Sequence, residues 1–167
     1  MVARMVSKRM GREAGGRRKF LAVIDETPEC GRAAAYAARR AKASGGAAVF
    51  LYVIDGEDFQ QWLGVGDIMR AEATEEAEVR LSRVADEIRE AVGTEPETLV
   101  REGKTVEEIR ALIEADREVA ILVLAASDST DGPGPLVSAV AGSGSAFPIP
   151  VTIVPATLSD EDIESLC

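Results

Sequence analysis

Five short apolar runs, separated by stretches of helical spacing, constrain this chain more than any other feature. Residues 20–24 (FLAVI) and 47–54 (AAVFLYVI) are continuously apolar, as strands covered on both faces are. Residues 119–125 and 149–154 repeat the pattern, and 97–100 is a weaker version of it. Helical periods fill the gaps. The alanine-rich stretch to residue 43 predicts a helix with Thr27 as N-cap and Pro28 in its first position. It stops at Ser44-Gly45-Gly46, which follows a helix and precedes a strand, so no helix N-terminus faces an anion there. A long helix is predicted over 67–92, with Ile68, Ala73, Ala77, Leu81, Val84, Ile88 and Val92 as its apolar stripe. Gly103-Lys104-Thr105 opens a third, with Val106, Ile109, Leu112 and Ile113 inward, and 136–146 is a short fourth. Strands alternating with helices require crossover connections, hence an α/β fold with an open parallel sheet and helices on both faces.

The chain's 167 residues suit one domain with a core of ordinary size. No apolar run approaches the roughly 20 residues of a membrane span. Two cysteines, Cys30 and Cys167, make no disulfide framework, and the expected compartment is the cytoplasm. There is no histidine, which removes Ser-His-Asp triads, Cys-His pairs and histidine-ligated zinc together. What remains points to a binding protein, with carboxylate and magnesium chemistry as the enzymatic alternative.

The net charge of −10 is unevenly spread: residues 1–19 carry +6 and the remainder −16. A domain that acidic repels phosphate backbones, so no nucleic acid is expected on the folded part. The reading divides the chain into a basic disordered extension (1–18), one domain (19–156) and an acidic tail (157–167). A basic extension could also touch RNA or an anionic surface, which would show as salt-sensitive binding lost with residues 1–18.

In an open parallel sheet the ligand lies beyond the carboxyl ends of the strands, where their order reverses. The turn Asp25-Glu26-Thr27, the end of the second strand at Val53 and Asp55, and the loop of residues 125–138 are the candidates. The acidic pair Asp25-Glu26 also matches phosphoacceptor receiver domains. Those need an aspartate after the third strand and a lysine after the fifth, where this chain has Arg101 and Pro155.

Five motifs in order resemble the universal stress protein family. Leu21-Ala22-Val23-Ile24-Asp25 is similar to its opening strand, and Leu51-Tyr52-Val53-Ile54-Asp55 to the strand end laid against adenine. Residues 102–109 resemble its Gly-x-x-x-x-x-Ile turn and helix start, 119–124 its fourth strand, and 148–154 its closing Pro-x-Pro-Val strand. The resemblance implies a five-stranded parallel, Rossmann-like sheet of the adenine nucleotide alpha hydrolase-like type, order 3-2-1-4-5. It also implies a homodimer formed through the last strand. ATP-binding members carry Gly-x-x-Gly, about nine residues, then Gly-Ser or Gly-Thr after the fourth strand. Here those positions fall on Ala125, Asp128 and Val137-Ser138, so Ser138 alone survives. A Cβ obstructs the approach of backbone N–H groups to phosphate, and the carboxylates of Asp128 and Asp131 repel it.

The expectation is a non-catalytic stress-response binding and signalling protein with weak or lost ATP binding. Its candidate ligand contacts are Asp25, Val53, Ala125, Asp128 and Ser138, with ATP or AMP as the admitted ligand and no resident metal. The alternative is a magnesium-dependent nucleotide or phosphate hydrolase using Asp25, Glu26 and Asp128. Cys30 is expected to be an inert, buried thiol and Lys104 a surface residue. Phe59 and Trp62 need cover from packing, a ligand or an unknown protein partner.

Overall fold

The computed structural model describes residues 8–11, 15–56, 64–143 and 147–167. Five strands, β1 (Lys19–Val23), β2 (Ala47–Ile54), β3 (Glu97–Glu102), β4 (Val119–Ala126) and β5 (Val151–Pro155), form one sheet. Its order is β3-β2-β1-β4-β5 and every pairing is parallel. The helices are α1 (Cys30–Ser44), α2 (Gly66–Val92), α3 (Thr105–Ala115), α4 (Pro135–Gly142) and α5 (Asp160–Leu166). Phe59 and Trp62 lie outside the described residues.

Alternation along the buried strands feeds two separate cores. Phe20, Ala22, Ile24, Ala48, Phe50 and Val123 point to one side and meet the alanine face of α1, with Leu81, Ile88 and Val92 of α2. Leu21, Val23, Val49, Leu51, Leu122 and Leu124 point to the other, against Ile109, Leu112 and Ile113 of α3 and Val137 and Val140 of α4. Alanine lets α1 sit close: Ala33, Ala34, Ala37 and Ala38 are all sealed from solvent. On α2 the stripe holds from Ala77 onward, while Ile68 stays exposed in its first turn. Gly46 is required where the chain turns into β2, since a Cβ there would stand 2.1 Å from the Arg18 carbonyl oxygen.

Both ends of the chain fold further than their composition suggested. The last residues, read as an acidic tail, form α5 with a capping box: the Ser159 hydroxyl accepts from the Asp162 N–H, and the Asp162 carboxylate from the Ser159 N–H. Ile163 is fully buried in the α1 core, and Arg32 reaches both Asp160 (2.8 Å) and the Leu158 carbonyl (3.2 Å). The acids thus occupy an N-terminal turn, where the helix dipole favours them. Of the basic extension, residues 8–11 and 15–18 are described, and they bond to the turn before β4 and to the start of β2. Met10 N–H donates to the Arg117 carbonyl (2.8 Å), and the Arg9 guanidinium donates to the carbonyls of Ile113, Asp116 (3.2 Å) and Val119 (3.4 Å). Helix α3 has no basic residue in its last turn, and Arg9 supplies that positive charge from the far end of the chain.

At the same end, Lys19 Nζ meets Asp116 (2.8 Å), Glu97 (3.1 Å) and Glu118 (3.4 Å), its side chain only 12% exposed. Burial alone lowers its pKa, but the Asp116 and Glu97 carboxylates outweigh that and hold the ammonium above its ordinary range.

Candidate functional site: the crevice between β1 and β4

The strand order reverses between β1 and β4, which puts the opening crevice at their carboxyl ends. The β1–α1 turn is organised by Asp25. Its Oδ1 accepts the Thr27 N–H (2.8 Å) and the Thr27 hydroxyl, an Asx turn that holds the chain back from helix. Consequently Thr27 does not cap α1. The helix starts at Cys30, and Glu29 stands at the N-cap position with no side-chain cap bond. The Asp25 carbonyl accepts from Arg80 (3.3 Å) and from the Cys30 thiol (3.6 Å). Burial first, opposed by that hydrogen bond, leaves the Cys30 thiol with a raised pKa. It stays protonated and unreactive near neutrality.

Two cavities flank this turn. One, of about 220 Å³, is lined by Val23, Ile24, Asp25, Val53, Thr105, Val106, Pro135, Leu136 and Ala139. It is an apolar slot with one carboxylate and one hydroxyl, at the N-termini of α3 and α4. The other lies toward β4 among Asp25, Thr27, Glu29, Ala125, Gly134 and Val137, and is only about 20 Å³, room for a water molecule. The Pro133-Gly134-Pro135 turn closes it, held by the Ser127 N–H donating to the Pro133 carbonyl (3.0 Å). A groove of about 620 Å³ opens between α1 and α2 around Tyr52, but Glu26, Glu72, Glu75, Glu76 and Glu87 outnumber Arg80 and Arg83 on its walls. Burial and then the Glu26 carboxylate push the Tyr52 phenol upward.

Of the five residues singled out from the sequence, three come together. Asp25 lines both cavities, Val53 the larger and Ala125 the smaller. Asp128 and Ser138 are exposed and line neither; Ser138 sits inside α4, its N–H bonded to the Gly134 carbonyl (3.1 Å). Asp131 is exposed as well. The helix that opens at the crevice begins at Pro135, three residues before Ser138, with Gly134 (φ 101°) as its N-cap residue. Thr105 and Val106 were legible as the start of a helix, but only the fold brings them against Val53. Glu29, beside the start of α1, is the carboxylate facing α4. Among the described residues no group of three or more Cys, Asp or Glu could hold a metal ion, so Asp25, Glu26 and Asp128 are not gathered into one.

The sequence profile of the Universal stress protein family matches residues 16–155. The chain belongs to that family. Its sheet order and flanking helices are those of the adenine nucleotide alpha hydrolase-like fold. The chain is similar to the solved hypothetical protein PH0823 at 26% identity, TM-score 0.66, with 85% of this chain and 98% of that one covered. It resembles the universal stress protein UspA from Lactobacillus plantarum at 19% identity, TM-score 0.57, covering 83% and 98%. A universal stress protein in complex with cAMP aligns at 16% identity, TM-score 0.61, covering 85% and 99%. No curated protein matches the sequence. The family match ends at residue 155, so α5 lies beyond it, and so do residues 8–11 of the extension. Among the described residues no helix is long and apolar enough to cross a membrane.

Proposed function

We propose that this universal stress protein is a cytoplasmic, non-catalytic binding and signalling protein. It takes an adenine-containing ligand in the 220 Å³ cavity, and its affinity for ATP is weak or lost. The cavity itself carries this reading: a largely apolar slot at the switch point, lined by Val53 and by Asp25. The cAMP complex of a similar fold supports it. A thermal-shift series with adenosine, AMP and ATP, followed by product analysis, tests it. At least one adenine ligand should raise Tm, by the equivalent of about 2.7 kcal/mol at a hundredfold excess over Kd, and emerge unchanged. Val53→Trp, which fills the slot, should remove the shift. Turnover in the wild type, or no shift with any of the three, counts against the proposal.

The proposal includes a homodimer through β5. The Leu122 N–H donates to the Pro150 carbonyl and the Ala156 N–H to that of Ala126, 3.0 Å each, so even-numbered residues of β5 face β4. The backbone groups of Val151 and Ile153 therefore face outward, and Ile153 is 46% exposed. Two copies meeting antiparallel about Thr152 would exchange hydrogen bonds between Val151 of each and Ile153 of the other. Light scattering should give a dimer for the wild type and a monomer for Ile153→Lys, with Tm of the lysine variant measured to exclude unfolding. A dimeric Ile153→Lys variant would rule this edge out.

A further inference from the structure

We infer that Glu29 makes the site reject phosphate, so that its ligand class is the uncharged nucleoside rather than the nucleotide; this rests on the adenine reading above. A ligand seated in the 220 Å³ cavity can extend toward the 20 Å³ crevice, because the two adjoin and share Val23, Asp25, Pro135 and Leu136. That crevice ends at the N-terminus of α4, where backbone N–H groups and the helix dipole ordinarily attract an anion. Here the attraction is cancelled three times over. Pro135 occupies the first helical position and has no N–H to offer. The Pro133–Pro135 turn leaves space for no more than a water. And the half-buried Glu29 side chain crosses from the start of α1 to this spot, its Oε1 3.7 Å from where a Cβ on Gly134 would stand. The protein's own carboxylate occupies the ground where a phosphate would bind.

Glu29 lies there because Asp25 holds Thr27 out of the helix and moves the start of α1 to Cys30. A phosphate forced to within about 5 Å of it, at an effective dielectric of about 20, would lose on the order of a hundredfold in affinity. A ribose hydroxyl carries no charge and is not penalised, and the Asp25 carboxylate oxygen not engaged by Thr27 can accept from it.

Isothermal titration of the full chain with adenosine, AMP and ATP, without divalent cations, tests the assignment in wild type, Glu29→Gln and Glu29→Ala. The wild type should bind adenosine roughly a hundredfold more tightly than ATP, with AMP between them. Glu29→Gln keeps the shape and removes the charge. It should improve ATP by about tenfold or more while leaving adenosine within about twofold, and Glu29→Ala should do the same. Melting curves identify a variant that has not folded, and the other variant then decides. If wild type binds ATP as tightly as adenosine, or if both variants leave the ratio unchanged, Glu29 is not the selector and the adenine reading stands without it. If wild type binds none of the three, the adenine reading itself fails.

Discussion

Replacing Ile163 with alanine should cost about 2–5 kcal/mol, the range for emptying a fully packed aliphatic site. For a chain of this size each kcal/mol corresponds to about 2–4 °C, so Tm should fall by roughly 10 °C. The expectation follows from burial: Ile163 is fully enclosed, although it stands in the eleven-residue segment 157–167 with four acids. It plugs the α1 core beside Leu158 and Cys167, while Arg32 and Arg40 hold the segment at the Leu158 and Cys167 carbonyls. Ile163→Val should cost only about 0.5–1.5 kcal/mol, which separates a packing loss from a general intolerance of change. Thermal melts of the two variants check it. A drop of less than about 2 °C for the alanine variant would show that α5 is frayed in solution and that α1 is covered by something else.

Lys19→Met should lower stability by about 2–4 kcal/mol, somewhat under the usual cost of breaking a buried ion pair because the carboxylates keep partial access to water. The methionine fills the aliphatic volume but leaves Asp116, Glu97 and Glu118 facing one another without a cation. Adding Asp116→Asn and Glu97→Gln to Lys19→Met should recover most of the loss. If the triple variant is no more stable than the single one, packing rather than charge explains the effect. The pH dependence has a definite sign. The folded-state pKa of Lys19 is raised, so its stabilisation is complete below the unfolded lysine value of about 10.4 and disappears as pH climbs through the folded value. Denaturant melts of wild type and Lys19→Met should therefore run parallel through neutral pH and converge only in strong alkali.

These two residues mark the limit of what composition can reveal. Ile163 sits among acids and so reads as part of a solvated terminus, while Lys19 stands where a basic run meets the expected domain. Their partners are remote along the chain: Ile163 packs into the α1 core, and Lys19 pairs with Glu97 and Asp116, 78 and 97 positions away. Periodicity reports which face of a segment is apolar. It does not report which distant surface will cover it.

The site divides the same way. Asp25 and Val53 were legible because the end of a buried strand at a reversal of strand order is a place fixed by topology. Asp128 and Ser138 were located by counting across the loop between β4 and β5, and a loop's length does not determine its path. The sequence reading put a repulsive charge at Asp128 and Asp131. In the folded chain both point to solvent, where water screens them, and the carboxylate at α4 is Glu29.

What the amino-acid sequence determined alone was the architecture: continuous apolar strands, helical periods between them and the glycine stop at residue 45 admit little besides a parallel sheet sandwiched by helices. It also determined the family and the absence of histidine chemistry. Only the tertiary structure decided the ends of the chain and the dimensions of the site, because both depend on side chains from remote segments meeting in space. An Asx turn two residues long displaced one helix start and carried Glu29 across to another helix's N-terminus, a consequence that no local pattern encodes.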